Sequence, residues 1–156
     1  MKISLRSIAL MAMIAAMYAV AALALQPLTF GPMQFRVSEA LTLLPILLPE
    51  GVVGVTLGCF LANLASPFGA WDWVLGTLAT LLAALCSRYF RKHFWLAATM
   101  PVLFNGIIVG GYIAYLNDLP YWSTSFYIAL SEAGVVLLIG LPLIKGIQRY
   151  LEKRTH

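Results

Sequence analysis

Long stretches without a single charged side chain constrain this chain more than any motif in it. Residues 7–35 and 94–117 contain no Asp, Glu, Lys or Arg, residues 37–71 contain only Glu39 and Glu50, and residues 119–144 contain only Glu132. About 20 consecutive apolar residues are enough to cross the hydrocarbon core of a bilayer as a helix. Charged residues make up only 10% of the chain against 62% hydrophobic, where a water-soluble domain carries roughly a quarter charged. So few charges cannot cover a water-facing surface, and the solvent for most of this chain is lipid. The expected fold is all-α: a polytopic membrane protein, a single integral domain over residues 1–156.

The cations fall in clusters beside the apolar stretches, as anchors facing anionic lipid do. The formal net charge of +4 is therefore no sign of nucleic-acid binding, since no basic face alternates with aromatics. Cys59 and Cys86 lie inside apolar runs and read as buried packing thiols without disulfide or metal roles. The first run is long enough to span, and no small-residue cleavage site follows it, so it reads as a helix rather than a removable leader.

Six helices are predicted, at about residues 3–25, 37–49, 51–65, 73–90, 94–116 and 123–147. Gly31 and Pro32 set a turn after the first. The second meets Pro45 and Pro49, and about 12 residues at 1.5 Å each do not cross a core of roughly 30 Å. It must be short, kinked or partly extended. A single broken span from Val37 to Ala65 is the alternative. Gly51, Gly54 and Gly58 form a small-residue track that permits close helix packing, as do Gly106, Gly110 and Gly111, with Pro101 as a kink. Ala12 and Ala16 lie four apart on the first helix and, from spacing alone, serve either packing within the bundle or docking of another helix.

Charge placement favours six spans over five. With the amino terminus in the cytoplasm, Lys2, Arg6, Arg88, Arg91, Lys92, Lys145, Arg149, Lys153 and Arg154 all fall inside, as the positive-inside rule requires. Both termini are then cytoplasmic, and Arg36 is the one cation outside.

Polar residues within the spans are the candidate functional groups, because they are expensive in lipid. Arg36 and Glu39, three apart, are expected to share a helix face and pair. Asn63 ends the third helix, Asp72 opens the fourth between Trp71 and Trp73, and Asn105 sits mid-way along the fifth. Glu132 lies at roughly 12 to 14 Å depth by helical rise. All can converge on the outer half of the bundle, roofed by Trp71, Trp73 and Tyr112, as a small-molecule pocket. Plainer roles stay open: Asn63 and Asn105 as interhelical glue, Asp72 as an interfacial helix cap, Glu39 as a counter-ion for Arg36. Glu132 has no cation in its own upper helix and needs a partner, a ligand or a proton. His93 and His156 build no catalytic dyad, and there is no zinc motif and no ATP-binding glycine loop. An enzyme is not expected, nor any metal or cofactor of its own. Besides a binding subunit, a stand-alone channel or proton-coupled carrier using Glu132 as relay fits these residues.

The stretch Phe30-Gly31-Pro32-Met33-Gln34-Phe35-Arg36-Val37-Ser38-Glu39-Ala40-Leu41-Thr42 closely resembles the signature of the QueT family. The resemblance extends through Gly58 to Leu64, Asp72 to Ala84, Asn105 to Gly110 and Glu132, and so covers nearly the whole chain. It implies the substrate-binding subunit of an energy-coupling factor (ECF) transporter, which captures a queuosine precursor, a 7-deazaguanine, from outside. It also implies a transmembrane coupling subunit and two cytoplasmic ATPases as partners, which hydrolyse the ATP. Family members dock through an Ala-x-x-x-Ala surface on the first helix, matched here by Ala12-Met13-Ile14-Ala15-Ala16. The residues expected to bind the base are Arg36, Glu39, Asn63, Trp71, Asp72, Asn105 and Glu132. A carboxylate, Glu132 or Glu39, would accept the two adjacent N–H groups of the base; Asn63 or Asn105 would serve its carbonyl and ring nitrogen. Trp71 or Trp73 would stack on the ring, and the remaining acid, or Asp72, would receive an aminomethyl cation.

Overall fold

A computed structural model describes residues 4–31 and 34–155. The expectations for Lys2, Pro32, Met33 and His156, and the helix start at residue 3, lie outside the described residues. Among those residues there is no strand. The helices are α1 (Leu5–Ala24), α2 (Gln26–Thr29), α3 (Val37–Leu47), α4 (Glu50–Asn63), α5 (72–89), α6 (Phe94–Leu116) and α7 (121–155). By length and composition α1, α6 and the Tyr121–Lys153 part of α7 are able to cross a membrane, while α3 and α4 are shorter apolar helices. Large apolar side chains cover the outside: Leu5, Met13, Met17 and Val20 on α1 and Phe126 and Leu138 on α7 are exposed, as suits a chain whose outer solvent is lipid.

Two departures from the six predicted helices have local causes. The segment read as a loop after residue 25 contains the extra turn α2. Pro27 sits in its first turn, where a missing N–H is harmless, and Thr29 Oγ1 donates back to the Ala22 carbonyl at 2.9 Å. At the other end, α7 does not stop near residue 147 but runs on to Thr155. Its tail has no Gly or Pro after Gly146, and Gln148 Nε2 donates to Glu152 Oε1 at 3.0 Å one turn on.

The break expected around Pro45 and Pro49 is present. Val37–Leu43 is a tight 3₁₀ helix, Leu44–Leu47 continues it as α-helix, and Leu48 is extended before Pro49 opens α4. Three longer helices carry a widened π turn: Asp72–Gly76 in α5, Asn105–Val109 in α6 and Val136–Gly140 in α7. Such turns mark places where a helix gives up regular bonding, often at functional sites.

Small residues let the helices close. A Cβ on Gly58 would lie 2.6 Å from Tyr18 Cβ and 2.8 Å from the Ala15 carbonyl oxygen, and one on Gly54 would lie 2.7 Å from Ile14 Cβ. The face of α1 that packs on α4 is thus Ile14, Ala15, Tyr18 and Ala22, all buried. Gly110 and Gly106 do the same for α6 against Ser125 and Ala129 of α7, whereas Gly111 makes only ordinary contact with Tyr121. The larger apolar core joins Ile14 and Tyr18 of α1, Leu43 and Leu44 of α3, Val55 and Cys59 of α4, and Val136 and Ile144 of α7. A smaller one gathers Ala79, Val109, Tyr112, Ile113 and Ile128. Cys59 and Cys86 are both free; Cys59 is buried and Cys86 only partly so.

Candidate functional site

Buried charge locates the site. Among the described residues the buried charged side chains are Arg36, Glu39, Asp72 and Glu132, and α3, α5 and α7, with the segment before α3, bring them together.

The first half of the cluster is saturated. Asp72 is fully buried at the head of α5, where the π turn begins. Its Oδ2 receives Arg36 Nη2 at 3.1 Å and the Ser66 hydroxyl, and its Oδ1 receives the Tyr112 hydroxyl. Asn63, the last residue of α4, holds the same group from the other side. Its Oδ1 accepts Arg36 Nη1 at 3.3 Å and its Nδ2 donates to the Asp72 carbonyl oxygen at 2.8 Å. The guanidinium also lies 5.4 Å over the Phe30 ring, within cation–π range. A buried ion pair persists only when most of its remaining donors and acceptors are satisfied, and here Asn63, Ser66 and Tyr112 meet all of them but the Arg36 Nε.

This corrects the expected pairing of Arg36 with Glu39. The i, i+3 rule holds only when both residues are inside a helix. Arg36 precedes the 3₁₀ turn with extended backbone (φ −92°, ψ 93°), so its side chain leaves in another direction and reaches Asp72. Asp72 is likewise no interfacial cap; it is a buried anion with a partner.

The second half is unsaturated. Glu39, fully buried, receives the Tyr18 hydroxyl on Oε1, while its Oε2 has no hydrogen-bond partner. Glu132, 4% exposed on α7, has no partner on Oε1. Asn105, where the π turn of α6 begins, lies beside both carboxylates. Gln34, Arg36, Asn105, Val109, Ile128 and Glu132 line a hollow of about 10 Å³, about the room one water molecule needs. The Nε2 of Gln34 and the Nε of Arg36 also lack acceptors. Gln34 has a left-handed backbone (φ 46°), a conformation that costs a side-chain-bearing residue about 1–2 kcal/mol. Its N–H closes a turn on the Gly31 carbonyl at 3.0 Å.

Trp71 and Trp73 are each about 40% exposed and do not line the hollow. Trp71 packs instead on Tyr112, with ring centroids 6.3 Å apart, and on Tyr115 at 5.8 Å. Tyr112 is turned to Asp72, so neither tryptophan ring nor the tyrosine roofs the hollow as expected. Elsewhere the surface carries two apolar grooves of about 640 and 650 Å³. Leu96, Leu103, Trp122 and Phe126 line one; Leu28, Phe35, Tyr127 and Leu130 line the other. They bring together no charged groups.

Residues 8–149 match the family model described as QueT transporter. The chain belongs to the QueT transporter family. A queuosine precursor transporter QueT of Lactococcus lactis subsp. cremoris (strain MG1363) is 33% identical over 91 residues, covering 54% of this chain and 53% of that protein. The match thus spans about half the length of the relative. No solved structure matches the chain. With family and apolar helices together, this QueT member is a multi-pass membrane protein of a transporter family.

Six of the seven side chains singled out in this QueT chain, all but Trp71, meet in the buried polar cluster: Arg36, Asn63 and Asp72 in the saturated half, Glu39, Asn105 and Glu132 in the other. Reading the sequence missed Gln34, Tyr18 and Ser66, and took Tyr112 for part of a roof rather than a partner of Asp72. Gln34 sits within the family-like stretch and was visible as a polar residue among aromatics. Tyr18 looks like an ordinary apolar-run tyrosine, and only the fold shows that its hydroxyl and that of Tyr112 face buried acids. Ala12 and Ala16 are exposed on α1, while Ala15 between them is buried.

Proposed function

We propose that this QueT family member is the substrate-binding membrane subunit of an ECF-type importer. Its cargo is a queuosine precursor, a 7-deazaguanine such as preQ0, preQ1 or queuine, bound from the outside. The observation that carries this reading is the set of unpartnered atoms on the lining of the hollow, donors on Gln34 and Arg36 and an acceptor on Glu132, with a further free acceptor on Glu39 beside Asn105. A guanine-like base presents two N–H donors beside a carbonyl acceptor, and so answers both kinds at once. In folded proteins buried polar atoms are paired with few exceptions; the others without a partner among the described residues are the hydroxyls of Ser38, Ser125 and Ser131. Arg36 serves by holding Asp72 and Asn63, not by touching Glu39. Loading requires the hollow to widen, since a bicyclic base is far larger than a water molecule. Of its lining, Gln34 and Arg36 stand outside regular helix.

The relative's printed name supports the substrate class, and the family-like residues 30–42 that supply Gln34, Arg36 and Glu39 support it again. Six crossings, within one membrane domain, put the basic clusters and both termini in the cytoplasm. In support, Ser7 donates to Glu50 Oε1 at 2.9 Å, and Arg88 donates to the Pro45 and Ile46 carbonyls at 3.3 and 3.4 Å. The ends of α1, α3, α4 and α5 that the charge rule places inside therefore lie together. The face of α1 that carries Ala12 and Ala16 receives the coupling subunit, and two ATPases supply the energy. The protein itself then needs no cofactor and performs no catalysis.

A proton-coupled carrier acting alone is the second reading, favoured by the buried acids Glu39 and Glu132. Uptake by the protein alone in vesicles, without ATPase subunits, would select it. For the leading reading, the test is mass spectrometry of the small molecule that stays with the purified chain. A 7-deazaguanine is expected. A preparation that holds none and takes up none when supplied contradicts the reading.

A further inference from the structure

The far end of α7 carries a second concavity, away from the polar cluster. On one side this part of α7 packs into the bundle: Val136, Gly140 and Ile144 are buried, and a Cβ on Gly140 would lie 3.0 Å from Leu43 Cδ1. On the other side Leu137, Leu141, Pro142, Lys145, Gly146 and Arg149 line a groove of about 450 Å³. Regular helix bonding is interrupted there twice, by the π turn Val136–Gly140 and by Pro142, which has no N–H to give. The groove is open at Gly146, where an added Cβ would meet nothing within 4 Å. Its polarity is graded along the helix. Leu137 and Leu141 make one end apolar, while Lys145 and Arg149, one turn apart, make the other end doubly cationic, and no acid lines it. Glu152, the nearest acid along α7, accepts Gln148 Nε2 at 3.0 Å.

The dimensions suit one lipid leaflet. From Leu137 to Arg149 the helix rises about 18 Å, a little more than half of a hydrocarbon core of roughly 30 Å. We propose that this groove seats one anionic phospholipid, with its phosphate held between Lys145 and Arg149 and an acyl chain laid along Leu137 and Leu141. The arginine fork takes two phosphate oxygens and the lysine ammonium adds a compact charge. A zwitterionic lipid brings its own cation to the same place, so the seat prefers a headgroup with net negative charge. Basic residues at the rim of a span attract anionic lipid in general; here the two cations stand at the mouth of an apolar cleft of leaflet depth, which makes the attraction local to one face of α7. The cargo and the polar cluster have no part in this inference.

The test is native mass spectrometry of the full chain released from detergent after incubation with equal amounts of dioleoylphosphatidylglycerol and dioleoylphosphatidylcholine. The acyl chains are identical, so only the headgroup charge differs. The chain is expected to retain one phosphatidylglycerol in preference to phosphatidylcholine by about tenfold. In a Lys145→Gln, Arg149→Gln variant that ratio is expected to fall toward one. Arg91→Gln with Lys92→Gln removes the same charge from another exposed basic segment and is expected to keep the preference. Gly146→Leu fills the groove without altering charge and is expected to lower retention of phosphatidylglycerol. Equal retention of the two lipids by the unaltered chain overturns the proposal, as does a preference that survives the loss of Lys145 and Arg149. An equal loss in the Arg91 and Lys92 variant overturns it too, because any surface cation would then serve. Retention unchanged by Gly146→Leu shows that no lipid lies in the groove. Lys145 and Arg149 are exposed, so their replacement leaves the packed face of α7 intact; should that variant still fail to fold, Gly146→Leu and the Arg91 and Lys92 variant decide.

Discussion

Arg36 shows what a single side chain settles in this protein. Its guanidinium is buried, and Asn63 and Asp72 from distant parts of the chain, together with the nearby Phe30 ring, are arranged about it. Removing one member of a buried pair leaves the other charge uncompensated, which costs about 3–5 kcal/mol. Arg36→Met is therefore expected to lower the unfolding midpoint in detergent sharply. Adding Asp72→Asn should return part of the loss, because the orphaned charge is gone while Ser66 and Tyr112 keep a polar partner. A double variant no more stable than Arg36→Met would show that the pair contributes little. That Arg36, Glu39, Asp72 and Glu132 stand apart from the rest was legible in the sequence, since ionisable groups in apolar runs are rare, and the structure buries all four. Who pairs with whom was not, because Arg36 lies just outside the helix that sequence spacing assumed. Trp71 misled for a related reason: a tryptophan at a span edge advertises depth, not the direction its ring faces.

At the scale of helices, close approach and its interruptions do the positioning. Gly58 seats α1 on α4, which brings Tyr18 within reach of Glu39. A methyl at Gly58 meets atoms at 2.6 and 2.8 Å, and overpacking of that kind costs about 1–3 kcal/mol. Gly58→Ala is expected to destabilise by that amount in thermal unfolding. Gly111→Ala, whose nearest neighbour is the Tyr121 ring at 3.4 Å, should lie within about 0.5 kcal/mol of the parent. Equal effects would remove the claim that α1 and α4 close through a glycine. The small-residue spacing at Gly54, Gly58, Gly106 and Gly110 was readable beforehand, as were most helix limits. The π turns were not. Asp72 and Asn105 each begin one, and nothing in local propensity distinguishes a π turn from continued α-helix. The short α2 escaped because Pro27 reads equally well as a loop or as the first turn of a helix.

The whole molecule presents two faces with separate tasks. On the proposed reading the buried polar cluster meets the cargo, while α1 carries Ala12 and Ala16 exposed, small residues of the kind another helix packs on. Ala12→Trp is expected to leave base binding within about twofold while abolishing co-purification with the coupling subunit and ATP-driven uptake. Assembly that survives the tryptophan would move the docking surface elsewhere. The fold class, and the existence of a polar cluster inside it, could be read from uncharged stretches and their few exceptions; the near-closure of the hollow could not, because it depends on side-chain packing between the segment before α3, α6 and α7. The proposed function turns above all on the claim that Glu132 and its neighbours lack partners because a base supplies them. Calorimetry with 7-aminomethyl-7-deazaguanine on the full chain and on a Glu132→Ala variant that still elutes as a folded particle puts this to the test. One-to-one binding by the parent, weakened at least about a hundredfold in the variant, is expected. Undiminished binding by Glu132→Ala, or no binding by the parent, would contradict it.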